Sequence, residues 1–131
     1  MIFLDTSAIY ALADVEDPNH ERARDRFRVL LGAGEDFLTH NYVLLESIAL
    51  VQNRLGLPSA LRVAREAQRF DVEWVDEAMH DEAMERLARA GQRRVSLVDQ
   101  VSFLVMRRRG VAAALAFDRD FVEEGFRLYE G

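Results

Sequence analysis

The chain of 131 residues contains no cysteine and no lysine. Because thiols are absent, the protein forms no disulfide and has no cysteine metal site. Because lysine is absent, all 17 basic residues are arginines, and any mechanism that needs a catalytic lysine is excluded. No apolar run reaches the roughly 18 residues expected of a membrane helix. These absences restrict any metal site to oxygen ligands or to the three histidines.

The residues that are present are typical of a globular protein, since 50% are hydrophobic and 31% are charged. The length suits one domain with a sizeable core, so we predict a single domain over residues 1–131. The net charge is −6, whereas nucleic-acid-binding domains are usually basic. If the substrate is a phosphodiester, some cation has to offset this acidic charge. Without a predicted signal peptide or membrane helix, the predicted location is the cytoplasm, with no membrane partner.

Helical and extended patterns alternate along the chain, and no linker interrupts them. Strands are predicted at 1–4, 36–39, 72–75, 111–117 and 126–129. Helices are predicted between them, at 8–13, 19–31, 41–55, 58–70, 76–90, 96–109 and 118–124. About five short strands separated by helices predict an α/β fold, with a mostly parallel central sheet between helical layers.

Two acidic residues directly follow the two most apolar strands. Asp5 ends the first strand, and Asp118 ends the strand at 111–117. In an open parallel sheet the carboxyl ends of the strands share one edge, and ligands bind at that edge. Each acid also has a simpler interpretation as a helix cap, because a helix is predicted to begin just after it. The repeated arrangement favours a common site over two unrelated caps.

Two further acids lie inside helices that are apolar on most sides. Glu46 lies in the helix at 41–55, which is predicted to be buried nearly all round. The simpler interpretation of Glu46 is an edge position or a salt bridge to arginine. Asp99 lies in the helix at 96–109, and its spacing from Ser96 is that of a capping box. Both interpretations of Asp99 place its carboxylate at the positive end of a helix dipole.

The four acidic motifs together resemble those of the PIN domain, in particular VapC-type toxins of bacterial toxin–antitoxin pairs. The matching stretches are FLDTSAI, NYVLLE, SLVD and AFDRDF, and the resemblance extends over the whole chain. It implies a PIN-like three-layer α/β/α fold with an acidic site that binds Mg²⁺ or Mn²⁺ and cleaves RNA. The catalytic acids it implies are Asp5, Glu46, Asp99 and Asp118. Family members often have a hydroxyl residue two positions before the last acid, where this chain has Ala116.

Carboxylates that converge repel one another, and a hard divalent cation relieves this repulsion. Asp5, Asp99 and Asp118 are the predicted metal ligands, either directly or through water. Glu46 is predicted to hold a metal-bound water or to act as general base. The metal is expected to activate a water and to orient its in-line attack on phosphorus. Since cysteine is absent and the histidines lie outside the acidic motifs, we expect Mg²⁺ or Mn²⁺ rather than zinc.

Four polar residues are predicted to orient these ligands or to supply an auxiliary one: Thr6, Ser7, Ser96 and Asp120. Arginines have to contact the substrate phosphates, because the chain has no lysine. The densest cluster is at 107–109, and Arg93 and Arg94 lie at the other end of the same helix. The favoured interpretation of the triple arginine is nevertheless a solvated helix terminus, with cations at the negative end of the dipole.

The partners that the resemblance implies are an RNA substrate, a cognate antitoxin protein and a second copy of the chain. Two alternatives stay open within the same fold, namely a catalytically weak PIN-like binding module and a housekeeping RNA-processing nuclease. Receiver domains and haloacid-dehalogenase-like phosphatases also place acids at strand ends, but both need a lysine that this chain lacks. The phosphatases also need a second aspartate where this chain has Ser7.

Overall fold

The computed structural model describes residues 1–131, which form five strands and seven α-helices. The strands are β1 (Ile2–Leu4), β2 (Phe37–His40), β3 (Asp71–Glu73), β4 (Ala113–Leu115) and β5 (Arg127–Leu128). The helices are α1 (Thr6–Ala13), α2 (His20–Gly32), α3 (Asn41–Leu55), α4 (Leu57–Glu66), α5 (Glu77–Ala90), α6 (Leu97–Arg109) and α7 (Asp120–Glu123). A 3₁₀ turn at Ala67–Arg69 follows α4. None of the helices is long and apolar enough to cross a membrane.

All five strands belong to one parallel sheet with the order β3-β2-β1-β4-β5. The central strand is β1, in which Phe3 pairs with Leu38 on one side and with Ala114 on the other. Since parallel neighbours need crossover connections, each strand is joined to the next through at least one helix. The predicted α/β fold with about five short strands is confirmed, and its sheet is parallel throughout.

Right-handed crossovers place α1 to α4 on one face of the sheet and α5 to α7 on the other. Within the second layer, Phe103 of α6 packs edge-on against Phe121 of α7, with ring centroids 5.3 Å apart. Phe3 of β1 lies 6.0 Å from Phe121, and all three rings are fully buried. This cluster fixes α6 and α7, which carry Asp99 and Asp120, against the central strand.

The prediction that the helix at 41–55 is buried nearly all round is wrong. Val43, Ser47 and Val51 are buried on the inner face of α3, but Leu45 is 70% exposed. Glu46, beside Leu45, is also exposed. The apolar residues of this outer face led the sequence pattern to predict burial, although no other element of the chain covers them. Glu46 therefore keeps contact with water, while Val43, Ser47 and Val51 anchor the helix.

The elements around Asp118 are shorter than the sequence predicted. Strand β4 has three residues, because the flanking residues of the apolar run at 111–117 do not join the sheet ladder. Helix α7 begins at Asp120 rather than at Asp118. The Asp118 Oδ1 atom accepts a hydrogen bond from the Asp120 backbone N–H at 2.9 Å. This side-chain turn holds Asp118 in the loop at the carboxyl edge of the sheet.

Candidate active site

Asp5 lies at the carboxyl end of β1 and is 5% exposed. Its Oδ2 atom accepts hydrogen bonds from the Ser7 hydroxyl at 2.7 Å and from the Ser7 backbone N–H at 3.2 Å. The Ser7 hydroxyl in turn accepts a bond from the Phe117 backbone N–H at 3.0 Å. Ser7 thus ties Asp5 to the loop that follows β4. Thr6 is buried as well, but its hydroxyl has no partner.

The pKa of Asp5 is raised from its ordinary value of 3.8 to about 6. Burial is the main cause, because it penalises the charged carboxylate. The hydrogen bonds from Ser7 oppose the shift, whereas the negative charge of Asp99 adds to it. Asp99 lies on α6, so the two acids from different parts of the sequence share one electrostatic environment.

Asp99 forms the capping box that its spacing from Ser96 predicted. Its Oδ2 atom accepts hydrogen bonds from the Ser96 backbone N–H at 2.9 Å and from the Ser96 hydroxyl at 3.2 Å. The Ser96 hydroxyl accepts a bond from the Asp99 backbone N–H at 3.3 Å. Since both bonds to the carboxylate end at Oδ2, the Oδ1 atom remains available for another ligand. The cap therefore orients Asp99 and does not exclude a role in metal binding.

Three carboxylates meet at this point, and we call them the acidic cluster: Asp99, Asp118 and Asp120. One carboxylate oxygen from each lies within 4.8 Å of the others. Burial raises the pKa of Asp99 and of Asp118, and the charge of Asp120 raises both further. The cluster thus holds like charges whose mutual repulsion disfavours the ionised state.

Asp120 is the most enclosed member of the acidic cluster, with 3% exposure. Its Oδ1 atom pairs with Arg94 Nε at 2.9 Å, while its Oδ2 atom is buried and has no hydrogen-bond partner. A buried carboxylate oxygen without a donor is costly unless a cation binds it. The sequence predicted only an auxiliary role for Asp120. The signal for a more central position was the Asp-x-Asp spacing followed by Phe121, whose burial draws the start of α7 inward.

Glu46 and Asp5 lie outside the 4.8 Å group but interact electrostatically with its member Asp99. The charge of Glu46 raises the pKa of Asp99, as the charge of Asp99 raises that of Asp5. The structure therefore places Asp5, Asp99 and Asp118 at the carboxyl edge of the sheet, and Glu46 is close enough to act on Asp99. The donor set consists of carboxylate oxygens, which suits a hard ion such as Mg²⁺ or Mn²⁺. The partnerless oxygen of Asp120 gives such an ion an immediate electrostatic role.

A buried histidine joins the two helices that carry Glu46 and Asp99. His40 ends β2 and caps α3, with Nδ1 accepting a hydrogen bond from the Val43 backbone N–H at 3.3 Å. Its Nε2 atom lies 2.8 Å from the Ser102 hydroxyl of α6. That hydroxyl donates to a backbone carbonyl of its own helix at 2.9 Å, so Nε2 is the donor. Burial lowers the pKa of His40 to about 3, which keeps the ring neutral.

The comparisons with known proteins agree with this geometry. Residues 2–126 match the PIN domain family, and the chain belongs to that family. It is similar to two curated proteins named 23S rRNA-specific endonuclease VapC20, from Mycobacterium tuberculosis strains CDC 1551 / Oshkosh and ATCC 25618 / H37Rv. Each is 38% identical over 128 residues, which is 96% of this chain and 95% of the relative.

A solved structure gives the same result for the fold. The crystal structure of Mycobacterium tuberculosis VapC20, described as a sarcin–ricin loop cleaving toxin, superposes with a TM-score of 0.88. The two chains are 35% identical, and the match covers 100% of both. The predicted membership of the PIN domain family, with its VapC-type toxins, is confirmed. The roles of the individual acids stay predictions.

Proposed function

We propose that this protein is a metal-dependent endoribonuclease and the toxin of a bacterial toxin–antitoxin pair. The observation that carries the proposal is the acidic cluster, placed at the carboxyl edge of a PIN-domain sheet with one buried oxygen unpartnered. Similarity over 96% of the chain to a 23S rRNA-specific endonuclease supports RNA as the substrate class. The cleavage chemistry itself needs no 2′-hydroxyl, so the preference for RNA rests on this similarity.

The residues proposed to hold the metal are Asp99, Asp118 and Asp120, with Asp5 completing the set directly or through water. When bound, Mg²⁺ or Mn²⁺ supplies positive charge that offsets the carboxylates and polarises the phosphoryl oxygen. Hydrogen bonds within the protein orient the residues that hold the metal. Ser7 holds the Asp5 carboxylate, and Ser96 holds one oxygen of Asp99.

Glu46 is the proposed general base. It is exposed on α3 and its charge raises the pKa of Asp99, so it lies near the acidic cluster with access to water. The Glu46 carboxylate takes a proton from the attacking water as the water oxygen bonds to phosphorus. The bond from phosphorus to the leaving ribose oxygen breaks in the same step, and that oxygen takes a proton from solvent. The hydrogen bonds of His40 hold α3 against α6 and so fix the distance from Glu46 to the cluster.

The specific substrate that we propose is 23S rRNA, cut in the sarcin–ricin loop. This proposal follows the names of the similar proteins described above. A small antitoxin protein, a homodimeric state and a cytoplasmic location are proposed on the same basis. The tests of the toxin role are growth arrest on expression in a bacterial host and relief by the neighbouring small gene. Soluble protein without any growth arrest favours a housekeeping nuclease or a binding module instead.

The experiment that tests the nuclease is cleavage of purified 23S rRNA by protein freed of antitoxin. Reactions contain Mg²⁺, Mn²⁺ or EDTA, and primer extension maps the cut. We expect cleavage in the sarcin–ricin loop with either metal and none in EDTA. Cleavage that continues unchanged in EDTA contradicts the metal mechanism, whereas metal-dependent cleavage elsewhere in the RNA contradicts only the proposed target.

A further inference from the structure

The residues on either side of Asp118 in the sequence line a small cavity of about 160 Å³, which we call the arginine pocket. It lies on the α2 side of β4 and β5, and three of its lining residues are arginines: Arg22, Arg26 and Arg119. One carboxylate, that of Glu130, also lines it. The pocket is therefore a local concentration of positive charge in a chain whose net charge is −6.

The three arginines of the pocket form no ion pair, and the only side-chain hydrogen bond among them joins Arg22 to Asn19. The arginines at the end of α6 differ in this respect. Arg108, for example, pairs with Glu82, and Arg109 pairs with two acids. Charge that the fold has not neutralised is available for an external anion.

Two of the pocket arginines are held in place by an aromatic ring. Arg22 and Arg26 are one turn apart on α2, where like charges repel. Both guanidinium groups lie over the Phe117 ring, 5.3 and 5.6 Å from its centroid. The attraction of cations to the ring face offsets part of the repulsion. The ring therefore holds two donors ready before any ligand arrives.

The pocket is directly continuous with the acidic cluster along the chain. Phe117 precedes Asp118, and Arg119 lies between Asp118 and Asp120. Adjacent Cα atoms are about 3.8 Å apart, so the backbone of the pocket residue Arg119 adjoins the backbones of two cluster residues. A nucleic-acid strand with one phosphate at the cluster would bring a neighbouring phosphate towards this pocket.

We propose that the arginine pocket binds a backbone phosphate of the RNA strand next to the phosphate that is cleaved. This inference rests on the proposed ribonuclease function and adds a subsite to it. The planar guanidinium group binds phosphate through paired hydrogen bonds, which suits the residue types present. The cavity is smaller than the roughly 300 Å³ at which whole-ligand pockets begin, and so it suits one phosphate group.

The test measures binding of a labelled RNA hairpin with the sarcin–ricin sequence. The Asp99→Asn protein, in Mg²⁺, serves as the slow-cleaving background. In that background the double variant Arg22→Ala/Arg26→Ala should raise the Kd about fivefold at roughly 0.1 M salt. The slope of log K against log salt should become shallower by about 0.7 to 0.9, the signature of one lost phosphate contact.

The matched control is Arg62→Ala/Arg65→Ala, which removes two arginines on α4 that also lack ion pairs and line a separate basic surface. The Kd of this control should stay within about twofold of the background value. Its salt slope should be unchanged. Equal losses in both double variants, or no loss in the pocket variant, overturn the assignment.

A kinetic measurement separates this inference from the proposed function. In the otherwise wild-type protein the pocket variant should raise KM for the hairpin about fivefold and leave kcat within about twofold. Its melting temperature should match the wild type, which excludes misfolding as the cause. If the wild type cuts no RNA with metal, the proposed function fails, and the hairpin Kd values still decide whether the pocket binds phosphate.

Discussion

The two ends of α6 differ in whether their charged side chains are paired with opposite charges. At its first turn, Asp99 belongs to the acidic cluster, where a buried oxygen of Asp120 has no partner. At its last turn, each arginine pairs with an acid. Arg107 pairs with Glu124, and Arg108 pairs with Glu82. The helix rises about 1.5 Å per residue, so about 15 Å separate Asp99 from the last arginine.

This difference teaches where to look for function in a chain rich in both signs of charge. The arginines at 107–109 form the densest basic cluster in the sequence, yet the structure commits them to its own carboxylates. The acids of the cluster lack such compensation, apart from the ion pair of Asp120 with Arg94. Uncompensated charge is retained at a cost to stability, and such sites are candidates for ligand binding.

The largest expected effect is that of Asp120→Asn on RNA cleavage. This variant keeps the shape of the side chain but removes one charge from the acidic cluster, so it weakens metal binding. We expect kcat/KM to fall about a thousandfold, which corresponds to several kcal/mol of transition-state stabilisation. Cleavage assays at saturating Mn²⁺ measure the loss. Activity within about threefold of wild type would restrict Asp120 to the minor role that the sequence predicted.

The next effect concerns the pH dependence of stability in the metal-free protein. Raising the pKa of Asp5 from 3.8 to about 6 corresponds to about 3 kcal/mol. Since the folded-state pKa is raised, the stability that the protonated Asp5 contributes is fully present below pH 3.8. That stability is lost as the pH rises through about 6. As the pH rises from about 4 to 6, Asp5→Asn should therefore gain stability relative to wild type. Urea unfolding in EDTA, at several pH values, measures this difference, and a pH-independent difference contradicts the burial effect.

A smaller effect is expected from Arg94→Gln. Arg94 is 66% exposed and pairs with the buried Asp120, so it partly occupies the carboxylate that a metal requires. Removing its charge should tighten Mn²⁺ binding about fivefold, within the range of a partly exposed ion pair. Isothermal titration with Mn²⁺ measures the affinity. Weaker binding in the variant would instead make Arg94 a support of the site.

The smallest effect is expected at the compensated end of α6. Arg108→Ala removes an ion pair with Glu82 whose two side chains are 49% and 45% exposed. Exposed pairs contribute at most about 1 kcal/mol, so unfolding free energy should change by less than that. Cleavage and metal affinity should stay at wild-type values. A loss of cleavage comparable to that of an acidic-cluster variant would contradict the claim that only the first turn of α6 belongs to the active site.

Much of this architecture could be predicted because local signals and global fold agree. Asp5 directly follows a short apolar strand and precedes a helix, so its place at the carboxyl edge follows from the parallel topology. The capping-box spacing of Ser96 and Asp99 correctly predicted both the start of α6 and the hydrogen bonds there. In these cases the residues that determine the geometry are neighbours in the sequence.

The features that could not be predicted depend on contacts between distant segments. The sequence does not show that Arg94 reaches Asp120, since Arg94 precedes α6 whereas Asp120 begins α7. It also does not show that the outer face of α3, including Leu45, is left uncovered. Periodicity reports which side chains are apolar, but it does not report which of them another element covers.

The most direct test of the central claim is a set of thermal melts of wild type and Asp99→Asn, with and without Mn²⁺. If Asp99 is one of several repelling carboxylates, the metal-free variant melts at or above the wild-type temperature. Metal at about a hundred times its Kd should stabilise the wild type by about 2.7 kcal/mol, and the variant much less. A metal-free variant that melts below wild type, keeps the full metal shift and still cleaves RNA would show that Asp99 is only a helix cap.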